Sequence, residues 1–473
     1  MKKPFFAVIY LLFFVCSFAQ SISQKMEKAY RQFEVDSQLR HAISSLYIIN
    51  AKTGEVVFDR NSQVGLAPAS TQKIVTAATA FELLGKNFRY KTEFIEQHRR
   101  LDIMGTGDPT LGSWRFSNTG ETAVFDSVIS KLRAKDILTI GDLRLYKTFD
   151  SKEIPSGWIY EDIGNYYGAL TTDLNWHENQ YNITFTPGKK VGDPAVISGV
   201  DSIYRYLFRT NMNVNECKTG PIGSGDNAYI YFIPNDRAIL IQGTVPMGVD
   251  KFTISGADPN PVFSLGNAMV RYAALKGISI LDVSVDDNFS KDDLFPKKNE
   301  YDPYSVISKA GLLYTHYSPS LDSIVYWFLQ KSINLYGEAL IKTFAYEKKG
   351  FGSTDSGVAI VKDFWKQKGL DDEELNIMDG SGLSPQNRVT THAQVEILKY
   401  AKTREWFPYF YQALPTYNGM KMKSGSIRDV KGFCGYQRST DGNEYIFSFL
   451  VNNYNGRSSM VVNKMYKVLD VLK

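Results

Sequence analysis

Cysteine is scarce in this chain of 473 residues, with only three. Cys16 falls in an apolar N-terminal run, which leaves Cys217 and Cys434, too few for a disulfide-stapled scaffold. Their positions do not say whether these two pair. An excess of one charge is also missing: 54 Lys and Arg face 50 Asp and Glu, a net +4. A nucleic-acid binder normally gathers a marked basic surplus on one face, so no nucleic-acid partner is expected. The five histidines, His41, His98, His177, His316 and His392, show no ligand-type pairing, and no metal site is expected. Internal repeats, low-complexity linkers and a Gly-x-Ser-x-Gly elbow are absent, and Gly105-Thr106-Gly107 lacks the third glycine of a dinucleotide fingerprint and reads as a turn. What is present is an ordinary globular balance, 43% hydrophobic and 22% charged residues. The length exceeds what one core organises, so two or three domains are expected.

The N-terminus carries Lys2 and Lys3, then an apolar run from Phe5 to Phe14 that ends near Ser17-Phe18-Ala19. A membrane span needs about 20 helical residues, so this shorter run reads as a cleaved secretory signal over residues 1–19, with no transmembrane anchor in the mature chain. Val15 ahead of Cys16 is a poor fit to a lipoprotein signal.

Periodicity then predicts an amphipathic helix on Met26, Ala29, Tyr30 and Phe33, and a hairpin from Ile43 to Asp59 turning at Ala51-Lys52-Thr53-Gly54. A helix follows on Ile74, Ala77, Ala78, Phe81 and Leu84, stopped at Gly85. Residues 90–303 break into short β-like runs without long helical periodicity, which predicts one or two β-rich inserted domains. Helices return on Leu321 to Leu329 and on Leu335 to Phe344. Strands at Gly432 to Gln437 and Tyr445 to Asn452, turned at Asp441-Gly442, and a helix on Val461 to Leu472 close the chain. The expected class is α/β (α+β), one domain built from residues 20–89 and 304–473 with residues 90–303 inserted. Tyr166-Tyr167 and the other aromatics read as packing rather than a ligand platform.

Ser70 is the one serine with a lysine three positions on. At the first turn of the predicted helix, positions i and i+3 share a face, which sets the Lys73 amine beside the Ser70 hydroxyl. A serine hydroxyl needs a base to become a nucleophile, and a lysine serves if burial or another cation lowers its pKa. The alternative is a helix-capping serine and a solvated lysine. Ser332-Ile333-Asn334 lies between two predicted helices, where it either caps a helix or turns both polar side chains into a cleft. Lys423-Ser424-Gly425-Ser426 enters the C-terminal strands, and Gly425 permits close approach to the backbone. Lys52-Thr53-Gly54 and Lys218-Thr219-Gly220 match the same short pattern, but only Lys423 follows both other elements.

Ser-x-x-Lys, Ser-x-Asn and Lys-[Ser/Thr]-Gly in this order resemble the signature of penicillin-binding proteins and serine β-lactamases. Ser332 lies 262 positions after Ser70, and Lys423 a further 91 on. This long insertion resembles the class C low-molecular-mass penicillin-binding proteins, the D-alanyl-D-alanine carboxypeptidase/endopeptidase family. Gly105 to Leu111, His316 to Leu321 and Asp379 to Ser384 resemble further segments of that family; Ile333, where Asp or Asn is commoner, departs from it. The resemblance implies a penicillin-binding transpeptidase-like, β-lactamase-like domain and a secreted, periplasmic enzyme acting on peptidoglycan stem peptides. It implies Ser70 as nucleophile, Lys73 as base, Ser332 as proton relay, Asn334 as orienting group and Lys423 as positive charge. Ser424, Gly425 and Ser426 would meet substrate, no cofactor is needed, and β-lactam antibiotics would inhibit covalently. Two other readings stay open: a serine β-lactamase, and a catalytically silent peptidoglycan-binding protein.

Overall fold

The computed structural model describes residues 21–146, 149, 153–208, 214–232, 238–286 and 311–473. The expected signal segment, residues 1–19, lies outside them. Among the described residues no helix is long and apolar enough to cross a membrane.

The outer unit is built on a six-stranded antiparallel sheet in the order Thr416–Tyr417, Met420–Ile427, Val430–Arg438, Glu444–Asn452, Ile43–Asn50, Val56–Arg60. Period-two alternation sends Leu46 and Ile48 to one face and Tyr47 and Ile49 to the other, and both faces are covered. Helices Ile22–Glu34 and Ser458–Leu469 cover the first, meeting it through Met26, Tyr30, Phe33, Val461 and Met465. On the second lie Lys73–Leu83 and Thr391–Lys402, backed by Leu321–Gln330, Asn334–Lys349 and Thr354–Gln367. Lys73–Leu83 is mostly apolar on every side, and every residue from Lys73 to Phe81 is buried, Thr76 and Thr79 included. A helix of that composition is stable only inside a protein, and here it carries the lysine in with it.

The insertion after this helix holds a five-stranded sheet in the order Ser279–Asp286, Thr139–Tyr146, Arg100–Gly105, Lys91–Gln97, Leu312–Tyr317. Its first three strands run parallel. Parallel neighbours need crossover connections, and helices Glu121–Ala134 and Pro261–Leu275 supply them, packing their apolar sides on the sheet. The insertion is therefore not purely strand-rich. The strand Leu312–Tyr317 pairs with Lys91–Gln97, so the insertion's sheet runs past the expected junction at residue 303. Two smaller sheets, one around Asn227–Phe232 and Ile239–Pro246 and the other around Gln180–Thr186 and Phe252–Ala257, share a separate core. Cys217 belongs to this core and Cys434 to the helical face of the main sheet; both are free and buried.

Candidate active site

Ser70 sits in a 3₁₀ turn, Ala69–Gln72, that runs directly into the Lys73–Leu83 helix. Ala69 holds φ +47, a left-handed conformation uncommon for a residue with a side chain. The opposing residue, Gly382, has no room for a side chain: a β-carbon there would fall 2.0 Å from the Ala69 carbonyl oxygen.

Lys73 is fully buried, with Nζ 2.9 Å from Ser70 Oγ. The same amine donates to Asn334 Oδ1 at 2.6 Å and to the Ser381 carbonyl at 2.7 Å. Burial, and then the charge of Lys423, push the Lys73 pKa well below the usual lysine range, against the opposing pull of Asp379 and Glu338. Asn334 opens the Asn334–Lys349 helix, and its Nδ2 donates to the Tyr167 carbonyl of the insertion at 2.7 Å, which fixes the amide's orientation. Ser332, in the turn between the two helices, holds φ +56.

Lys423, on the Met420–Ile427 strand, is also buried; its Nζ donates to the Ser424 carbonyl at 2.8 Å, and burial lowers its pKa to about 7. A β-carbon on Gly425 would lie 2.6 Å from Pro68 O, 2.8 Å from Thr71 N and 2.9 Å from Ser70 N, so the strand lies directly on the Ser70 turn. The short strand Thr416–Tyr417 pairs as far as Lys421, and Met422 N–H still reaches the Pro415 carbonyl, leaving the outer edge beyond Met422 open among the described residues.

A cavity of about 910 Å³ opens over these groups, with Ser70, Ser332, Asn334 and Ser426 in its wall. Ser424 and Gly425 do not line it. Tyr166, Tyr167, Tyr229 and Tyr231 of the insertion do, so Tyr166-Tyr167 is not merely packing. The other two Lys-Thr-Gly matches lie elsewhere, one in the hairpin turn after Asn50 and one on the inserted strand Lys218–Gly220.

The buried groups beneath Lys73 were not singled out as site residues. Glu338, one turn after Asn334, accepts from the backbone N–H of Gly380 and Ser381, and burial raises its pKa to about 8. Asp379 accepts from Trp158 Nε1 at 2.9 Å, the Gly382 N–H at 2.8 Å and Asn387 Nδ2 at 3.0 Å, folding the Asp379 to Ser384 loop so that the Ser381 carbonyl faces Lys73. The signal for Asp379 was the quoted Asp-Gly-Ser-Gly segment. For Glu338 it was a carboxylate set among the apolar positions Leu335, Ala339 and Leu340.

The sequence model of the family described as the D-Ala-D-Ala carboxypeptidase 3 (S13) family matches residues 26–472. The chain belongs to that family. This S13 protein is 27% identical over 477 residues to a D-alanyl-D-alanine carboxypeptidase of Actinomadura sp. (strain R39), across 90% of this chain and 81% of the relative. It is 22% identical to the D-alanyl-D-alanine carboxypeptidase DacB of Haemophilus influenzae, across 86% of this chain and 84% of the relative. The crystal structure of penicillin binding protein 4 (dacB) from Haemophilus influenzae superimposes with a TM-score of 0.75 at 19% identity, covering 95% of the S13 chain and 99% of the other. A structure of that protein complexed with a β-lactam gives 0.68 at 18% identity. The S13 fold found here is thus the penicillin-binding one.

Proposed function

We propose that this S13 enzyme is a serine-type D-alanyl-D-alanine carboxypeptidase/endopeptidase of the periplasm, acting on peptidoglycan stem peptides through an acyl-serine intermediate and inhibited by penicillin. The observation that carries the reading is the allocation of bonds around Lys73. A neutral amine has two N–H groups and one lone pair. Lys73 Nζ donates to Ser70 Oγ, Asn334 Oδ1 and the Ser381 carbonyl. Once the amine is neutral, the two oxygens that can only accept keep its two N–H groups, and its lone pair turns to Ser70 Oγ to receive the hydroxyl proton.

Ser70 Oγ attacks the carbonyl carbon between the two D-alanines as its proton passes to Lys73. The backbone N–H groups of Ser70 and Ser426 receive the developing oxyanion, with Gly425 holding strand and turn together. The C–N bond then breaks, Ser332 relays a proton to the leaving amine, and free D-alanine departs. Water attacks the acyl ester, returns a proton through Lys73 and restores Ser70. Lys423, buried behind the cavity wall, supplies positive charge for the terminal carboxylate of the substrate; with its pKa lowered to about 7, an approaching anion raises it again and the charged form prevails. The open edge beyond Met422 accepts an extended peptide as an added strand. Penicillin acylates the same Ser70. An apolar N-terminal run with a small-x-small end supports export.

Intact-mass measurement after mixing with benzylpenicillin tests this. The expected result is a slowly decaying one-to-one adduct on the wild type and none on Ser70→Ala. A folded wild type that forms no adduct would favour the silent binding protein, and a fleeting adduct with consumed penicillin the β-lactamase.

A further inference from the structure

The turn His177, Glu178, Asn179 is the longest run of left-handed backbone on residues with side chains among the described residues: the three hold φ +51, +53 and +51. Such a conformation persists only where the surroundings impose it. Here Trp176 anchors one end, fully buried and stacked on Phe125 of the insertion's core at 5.0 Å. Asn179 anchors the other, accepting from the Trp176 N–H and donating to the Leu170 carbonyl and Asn175 Oδ1.

The strained turn presents the buried carboxylate of Glu178 at the junction of insertion and outer unit. Its Oε1 accepts from Ser113 Oγ at 2.7 Å, Arg115 Nε at 2.8 Å and Tyr336 Oη at 2.8 Å. Tyr336 lies two residues after Asn334 on the same helix. The Arg115 guanidinium also lies over the ring of Trp327, 5.5 Å from its centroid, and Trp327 is on the Leu321–Gln330 helix that precedes Ser332. The insertion therefore grips both helices that flank Ser332-Ile333-Asn334, the one before through Arg115 and the one after through Glu178. A third hold is the Tyr167 carbonyl on Asn334 itself.

We propose that Glu178 and Arg115 form a positioning clamp, by which the insertion sets the register of the Ser332 to Asn334 turn against Lys73. This rests on the reading of Ser70, Lys73 and Asn334 given above. It assigns the insertion a part in the chemical step; Arg115 and Glu178 also line the cavity, so a probe of the clamp must lie outside that wall. Tyr336 is the cleanest probe, because it is fully buried and does not line the cavity, so its hydroxyl acts through Glu178 and the neighbouring Ser113 rather than on substrate.

The test measures the acylation rate constant with benzylpenicillin and kcat and KM for D-alanine release, per active site titrated, in wild type, Tyr336→Phe, Arg115→Ala, Arg115→Lys and Ser70→Ala, with thermal unfolding alongside. Loss of a hydrogen bond to a buried carboxylate is expected to lower acylation and kcat about tenfold in Tyr336→Phe, with KM within about twofold. Arg115→Ala should lose a similar factor, and Arg115→Lys should recover part of it. Should Tyr336→Phe and Arg115→Ala acylate within twofold of wild type while Ser70→Ala is inert, the clamp is refuted and the site stands. A loss that disappears on normalising to titrated sites also refutes the clamp, leaving only a folding role. An adduct on Ser70→Ala would instead remove the reading of the site beneath it.

Discussion

A methyl group added at Gly425 has nowhere to go. Its three nearest atoms are Pro68 O, Thr71 N and Ser70 N at 2.6, 2.8 and 2.9 Å, all backbone of the nucleophile turn, so no side chain can swing aside. Ordinary contact begins near 3.4 Å, so in Gly425→Ala the strand and the turn must part by about 0.8 Å. The proposed oxyanion donors sit one on each side of that seam. A bond of about 2.9 Å stretched by that much passes out of the hydrogen-bonding range, and losing one oxyanion donor costs about 10²–10³ in rate, roughly 3–4 kcal/mol. Overpacking adds about 1–3 kcal/mol of lost stability. Stopped-flow acylation by a chromogenic β-lactam, at a temperature where thermal unfolding shows the variant folded, should read a fall of about a hundredfold. Gly120→Ala, where a β-carbon meets nothing within 4 Å, is the control and should match the wild type. Acylation by Gly425→Ala within about threefold of wild type would mean that the seam does not hold the oxyanion donors.

Two titrations bear on the buried groups. Because burial and Lys423 lower the Lys73 pKa, acylation should extend to lower pH than an ordinary lysine base would allow and be lost as pH falls through that lowered value. Lys73→Arg, permanently charged, should show no acylation at any pH, and a pH-rate profile of both proteins checks this. Glu338 has a folded pKa raised from 4.5 to about 8, so the folded state binds the extra proton and its contribution to stability is lost as pH rises from 4.5 through 8. Thermal unfolding of wild type against Glu338→Gln should therefore diverge across that window, the wild type losing ground as pH rises; a difference independent of pH would show that Glu338 is ionised throughout.

The elements most readable in the sequence were those whose environment is one-sided. Met26, Tyr30 and Phe33 give a helix because one stripe meets the sheet and the rest meets water. The Ser70-x-x-Lys73 pair was legible because three residues of helix place the two groups together. Its contact with Asn334, 261 positions away, became readable only through the order of three short motifs. In the insertion, Val124, Phe125, Val128, Ile129 and Leu132 do carry helical spacing, and the Glu121–Ala134 helix was missed because Gly, Pro and Asp punctuation around it outweighed five apolar positions. Tyr167 contributes a carbonyl oxygen to the site, a group every residue possesses, so no side-chain pattern could mark it. Glu338 was hidden for the opposite reason: a carboxylate set among apolar positions looks like a surface position until burial is known.

The register of the main sheet has a consequence for how the enzyme comes into being. The strand Ile43–Asn50 finds its partner in Glu444–Asn452, pairing Ile43 with Asn452, so the two strands beside each other at the heart of the outer unit are made far apart in time during synthesis. Closing loops of that span makes folding slow. Ser70 and Lys73 emerge early, yet the strand that seals the Ser70 turn comes some 350 residues later. A nascent chain of any shorter length thus carries a serine with no partner strand to complete its pocket. Reactivity arrives only with the strand that carries Gly425, as a property of the assembled site rather than of the segment that bears the nucleophile.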